Sequence, residues 1–289
     1  RIILCGFGVV AQSFSKLLES RTHDLYSKFG IKPRIGWQID TFGHSNTNAR
    51  LFYEMGFDAM FFGRMDGEEE AERQQNKQME WIQRPSKESF GTDYSILFHK
   101  ITNIYVSPDG FDFDVTSNDA DFETDTKLDS YNAPAEAQKL DQYLQNQANI
   151  YATDHLFVLW GMDFQYMDAF RNYKNMDNMI AYMNANYADK YEFKYSTPSN
   201  YVDALASLNV TWPTKYDDLF PYQDNPSSFW TGYFSSRANA KGYVRAGSAN
   251  LRATSQLYTD AVLTQDFDQK VLNEMLAARD NLWDQKAIF

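Results

Sequence analysis

Apolar and polar positions alternate along this chain in blocks that switch between the period of a strand and that of a helix. Residues 2–5 form a short apolar run broken by Gly6 and Gly8. Residues 12–26 then repeat Phe14, Leu17, Leu18 and Leu25 at helical spacing, up to a stop at Gly30. Residues 34–40 (RIGWQID) predict a second strand, 46–55 a helix closing at Gly56, and 59–62 a third strand stopping at GRMD. This alternation predicts a parallel α/β fold.

Further along, the stretch 68–81 is rich in Glu and Gln and reads as a solvated helix. Residues 106–131 carry Asp, Asn, Ser and Gly without periodicity and read as a long acidic surface loop. The Asp spacing there lacks the glycine and glutamate that an EF-hand loop needs. A helix over 134–151, a strand over 155–160, a helix over 168–186 and a short strand over 191–196 follow. Residues 217–230 are marked by proline as a loop. From Trp230 onward only helical patterns remain, over 238–262 and 267–289, as in a helical bundle.

Charge and composition narrow the function. The 289 residues carry a net charge of -12, which argues against nucleic acid, whose binders displace counterions with basic patches. No apolar run approaches the roughly 20 residues that span a bilayer. A lone Cys5 leaves no internal disulfide and no thiolate metal cluster. Residue 1 is Arg rather than Met, so the lack of a signal peptide says little.

Two predicted strands end in a carboxylate, RIGWQID at Asp40 and HLFVLWGMD at Asp163. In α/β folds the loops at the C-terminal ends of strands form the mouth of the site. Two carboxylates converging there suit glycoside hydrolysis, one attacking the anomeric carbon and the other protonating the leaving oxygen. Either aspartate taken singly also fits a helix cap or a turn.

The wording around them adds a resemblance. GWQIDTFGHS (36–45) resembles the nucleophile segment of family 38 glycoside hydrolases, the class II α-mannosidases. MGFDAMFFGRMD (55–66), GMDFQYMDA (161–169), YSTPSNY (195–201), DDLFPY (217–222) and FWTGYFSSR (229–237) match the same family in order. The resemblance implies a retaining α-mannosidase that removes terminal α-linked mannose from N-glycans in a lysosomal or other secretory lumen. It implies Asp40 as nucleophile and zinc ligand, Asp163 as acid/base, and Phe42 and Arg64 as lining the mannose subsite. Its partner would be a mannosyl oligosaccharide or N-glycan, with no nucleic acid and no membrane span. The sequon Asn209-Val210-Thr211 agrees with a secretory route. His44 reads as structural rather than as a metal ligand, and FWTGYFSSR as a domain junction rather than a binding element.

Three departures accompany the resemblance. Thr41 stands where the family has Pro. The family's zinc also takes a His-x-Asp pair ahead of the nucleophile and a later His, and three of these four ligands are absent from this chain. Residues 1–34 resemble instead the Rossmann start of a homoserine dehydrogenase, with Gly6, Gly8 and Ala11 in the dinucleotide-binding pattern. Either a hybrid or a divergent mannosidase start accounts for them, and an NAD(P)-binding oxidoreductase fragment and a non-catalytic remnant are the alternative functions. The expected architecture is an α/β fold, a mostly parallel sheet or incomplete (β/α) barrel. Its catalytic domain covers 1–225, with 1–34 an atypical Rossmann-like unit, and helices of a middle-domain bundle begin over 226–289.

Overall fold

The computed structural model describes residues 4–5, 33–84, 94–264, 268, 270–271 and 273–278. The chain divides into two compact units, Arg1–Trp230 and Thr231–Phe289. The first is built on a six-stranded sheet of β1 (Leu4–Cys5), β2 (Ile35–Gln38), β3 (Ala59–Phe62), β4 (Glu80–Gln83), β5 (Ile96–Lys100) and β6 (Thr214–Lys215), ordered β1-β2-β3-β5-β4-β6. Every pairing is parallel except that of β4 with β5. Its first-unit helices are α1 (Asn46–Glu54), α2 (Gly67–Gln75), α3 (Ala133–Ala148), α4 (Ala169–Asn186) and α5 (Pro198–Ala206).

The mostly parallel α/β sheet is the class the sequence predicts, and the reason lies in β3. All four of its residues, AMFF, are buried, as expected of a strand covered on both faces. Met60 and Phe62 pack with Phe52 of α1, Trp81 and Phe98 on one side. Ala59 and Phe61 pack with Ile35 and with Tyr201, Val202 and Leu205 of α5 on the other. A third cluster joins Leu140 and Leu144 of α3 to Met176, Met179 and Met183 of α4 around Phe111, Phe113 and Phe122.

Four expectations need correction. The polar stretch 68–81 is helical only to Gln75, and Glu80–Gln83 is a strand in which Trp81 is fully buried. Its acidic and amide side chains turn inward, where Glu80 meets His99 at 3.0 Å, so the polar pattern hid a strand. The stretch 106–131 has no regular structure, as expected, but it is no solvated surface loop. Phe111, Phe113, Asp114 and Phe122 are each 0–2% exposed, because its aromatic residues fill the space between α3 and α4.

Residues 155–160 join no ladder among the described residues. Leu156, Val158 and Trp160 pack on the α3–α4 cluster, and Phe157 and Leu159 on the sheet cluster. The alternation is that of a strand, yet the backbone groups of 156–159 have no hydrogen-bond partner among the described residues. Residues 191–196 likewise join no ladder among the described residues; Asn184 takes both the N–H and the C=O of Phe193 instead.

The second unit contains α6 (Gly232–Ser235) and α7 (Ala238–Thr264), with helical residues again at 270–271 and 273–278. Among the described residues no helix is long and apolar enough to cross a membrane. Gly6, Gly8 and Ala11, together with the predicted helix over 12–26, lie outside the described residues.

Candidate active site

The parallel register lines up Gln38, Phe62 and Lys100 as the last residues of β2, β3 and β5. The three connections that follow therefore leave the sheet at one edge, and they carry Asp40, Arg64 and Tyr105. Gly63 makes this crossing possible. A Cβ at that position would lie 2.3 Å from the Ile39 carbonyl oxygen and 2.9 Å from that of Ile104, so only glycine lets the three segments pass so closely.

Arg64 organises the first half of the site. Its Nε donates to Asp40 Oδ1 at 2.6 Å, and its Nη1 donates to the Tyr222 hydroxyl at 3.3 Å. The guanidinium sits 4.8 Å from the ring centroid of Trp230 and 5.8 Å from that of Tyr222, within cation–π range. Phe42 completes the wall, edge-on to Trp230 at 5.2 Å. Burial works against the Arg64 charge, but the bonds to Tyr222 and Asp40 outweigh it and hold the group protonated well above its usual range. The Asp40 side chain is 59% exposed against 14% for Arg64. The arginine is thus the fixed partner, and the carboxylate faces the mouth.

His44 supports Arg64 from beneath. It is buried edge-on against Phe62, its Nε2 faces the Arg64 carbonyl oxygen at 3.3 Å, and its backbone pairs both ways with Leu219. Burial pulls its pKa down to about 4 despite the Arg64 carbonyl, which favours the protonated ring. The imidazole is therefore a neutral structural group with both ring nitrogens turned into the protein, and it is not placed to bind a metal.

Tyr105 lies on the Asp163 side of the site. Its hydroxyl donates to Asp163 Oδ2 at 3.5 Å. Burial, then the charges of Asp40 and Asp163, push the phenol upward, and Arg64 opposes them. One hydroxyl thus feels both predicted carboxylates and the arginine. The backbone leading to it is strained: Asn103 and Ile104 have φ of 56° and 57°, which for a β-branched residue is an outlier. Such strain concentrates where a fold holds a functional group in place.

The structure thus brings Asp40, Phe42, Arg64 and Asp163 to one region. It adds three residues that sequence reasoning left without a role there. Tyr105 lies in an aperiodic stretch that gives no signal. Tyr222 and Trp230 were visible only inside the segments DDLFPY and FWTGYFSSR. Trp230, read as part of a junction, is also a wall of this site. Among the described residues, no group of three His, Cys, Asp or Glu side chains is placed to hold a metal ion.

Comparison with known proteins shows which family the chain belongs to. The lysosomal α-mannosidase of Dictyostelium discoideum is 42% identical over 235 residues, which is 81% of this chain and 23% of that protein. The human lysosomal α-mannosidase is 38% identical over 232 residues, 78% of this chain and 23% of that protein. The chain therefore spans about a quarter of the length of these relatives. A crystal structure of an α-mannosidase from Enterococcus faecalis aligns over 68% of this chain and 19% of its own, with a TM-score of 0.48 and 19% identity. The nucleotide-binding alternative gains no support from these matches. The Glycosyl hydrolases family 38 N-terminal domain matches residues 15–225, beginning within the stretch that the sequence sets apart, and the chain belongs to that family.

Proposed function

We propose that this chain carries the two catalytic carboxylates of a retaining α-mannosidase acting on terminal α-linked mannose of N-glycans. The observation that carries the reading is the placement of Asp40 against Arg64 and of Asp163 against Tyr105, whose hydroxyl is within the electrostatic reach of Asp40 and Arg64. In the first step a carboxylate oxygen of Asp40 bonds to the anomeric carbon as the bond to the leaving oxygen breaks. Asp163 gives its proton to that oxygen. Water then attacks the anomeric carbon, Asp163 takes the water's proton, and Asp40 departs as carboxylate. Arg64 occupies Oδ1 of Asp40 and so orients the carboxylate for attack through its other oxygen. Phe42, Tyr222 and Trp230 form an apolar and aromatic wall of the kind ligand sites use.

The zinc that the family resemblance implies does not fit the residues described. Asp40 is the one implied donor they bring to the site, and a single carboxylate does not make a stable zinc site. The steps above involve the chain's own side chains. A lysosomal or other secretory lumen fits the names of the relatives and the exposed position of Asn209 in its sequon.

The test is hydrolysis of 4-methylumbelliferyl α-mannoside at mildly acidic pH, with mass-spectrometric mapping of the chain after reaction with a fluorinated mannosyl fluoride. Turnover, a label on the peptide containing Asp40, and a loss of about 10³-fold or more in Asp40→Asn are expected. Absence of both turnover and label would leave a chain with the family fold but no hydrolase activity.

A further inference from the structure

Asp163 stands on the connection 161–168, between the segment 155–160 and α4. Two residues of that connection, Phe164 and Tyr166, have φ of 60° and 65°, a backbone that does not hold itself. Its neighbours hold it from below. Ser107 Oγ accepts the Gly161 N–H at 2.9 Å. Asp112 accepts the Gln165 side-chain amide at 3.3 Å. Asp114 Oδ2 accepts the Met167 N–H at 3.1 Å and the Asn172 side-chain amide at 3.2 Å.

Asp114 is 0% exposed, which is costly for a carboxylate unless it is hydrogen-bonded or paired. Burial acts to raise its pKa. The bonds from the Asn172 amide and the Met167 N–H act against this, and the carboxyl is held below the usual carboxylate range. Arg171 braces the same segment, donating to the Asp114 carbonyl oxygen at 2.8 Å.

We infer that Asp114, with Ser107, is a positioning device for Asp163, presenting the acid/base to the leaving oxygen from a connection that follows no hydrogen-bonded strand among the described residues. Both act through the backbone on either side of Asp163, Ser107 at Gly161 and Asp114 at Met167. The inference rests on the assignment of Asp163 as acid/base, and it predicts a signature tied to proton transfer. A displacement of about 1 Å at a catalytic group costs on the order of 10²-fold, but only where the proton is needed.

The experiment compares kcat/KM for two mannosides in the 289-residue chain and in the variants Asp114→Asn and Ser107→Ala. Phenyl α-mannoside needs protonation of its leaving group, whereas 2,4-dinitrophenyl α-mannoside departs unprotonated. Asp114→Asn is expected to lose about 10- to 100-fold on the phenyl substrate and less than about threefold on the dinitrophenyl one. Ser107→Ala is expected to show the same contrast at smaller size. Amide hydrogen exchange supplies a second readout: Tyr166 and Met167 exchange faster in Asp114→Asn, while Met176, Met179 and Met183 stay protected.

Equal losses on both substrates, no loss on either, or unchanged exchange at Met167 would overturn the inference. If Asp114→Asn loses the α4 protection and is unfolded, the substrate contrast in Ser107→Ala decides. If the unaltered chain hydrolyses neither mannoside, the proposed function fails on its own, and exchange at Met167 still decides whether Asp114 pins the loop.

Discussion

Asp40 follows β2, a strand bonded to neighbours on both sides. Asp163 follows a run in which the backbone of 156–159 is bonded on neither side among the described residues. The first carboxylate is placed by a ladder, by Gly63 packed between two carbonyls, and by an arginine that His44 supports. The second is placed by side chains of a loop, Ser107, Asp112 and Asp114, reaching up to a strained turn. A ladder spreads its support over many cooperative bonds, so losing it costs the whole fold. A side-chain cradle concentrates support in a few bonds that can be removed one at a time. Damage on the Asp40 side should therefore appear in stability and activity together, and damage on the Asp163 side mainly in activity.

The sharpest way to break this contrast is Gly63→Ala. The new methyl would meet the Ile39 carbonyl at 2.3 Å, and backbone on both sides must move. A loss of about 3 kcal/mol in urea unfolding is expected, with activity falling in parallel. Retained stability with lost activity would show that the Asp40 side is not built into the fold as described.

His44→Phe gives the next largest effect, seen through pH. The native ring titrates at about 4, against 6.5 for the unfolded chain. Between those values the unfolded state binds the proton and the native state does not, so stability is full above pH 6.5 and declines as pH falls toward 4. From pH 7 to pH 5 this removes about 2 kcal/mol. The Phe variant should lack that part of the decline, as read from urea midpoints at the two pH values.

Arg171→Ala is the smallest and tests the other side. It removes bonds to the Asp114 and Asp119 carbonyls and to Asp121. With the pair partly exposed, about 1 kcal/mol is expected in urea unfolding. Activity on the phenyl mannoside should fall by more than that stability change alone accounts for.

Legibility in the sequence follows the same division. β3 could be read because all four of its residues are apolar and buried, and Asp40 because it ends such a pattern in a recognisable segment. β4 and β5 could not, because Glu80, Gln83, His99 and Lys100 are buried within them and meet polar partners that the chain supplies elsewhere, such as Tyr201 for Glu80 and Glu70 for Lys100, each at 2.8 Å. The cradle was missed for a related reason. Its aspartates make it read as solvated, and nothing local reveals that Phe111, Phe113 and Phe122 anchor it between two helices. Tyr105 is set by a left-handed backbone at Asn103 and Ile104 that residue types alone do not announce.

The run 155–160 has one more consequence. Its odd and even residues belong to different cores: Phe157 and Leu159 to the sheet cluster, Leu156, Val158 and Trp160 to the helical one. With a side-chain period of two, deleting one residue near its start would hand each core the other's residues beyond the deletion. The length of this segment is thus fixed in whole pairs of residues, and an evolving chain can change it only two at a time.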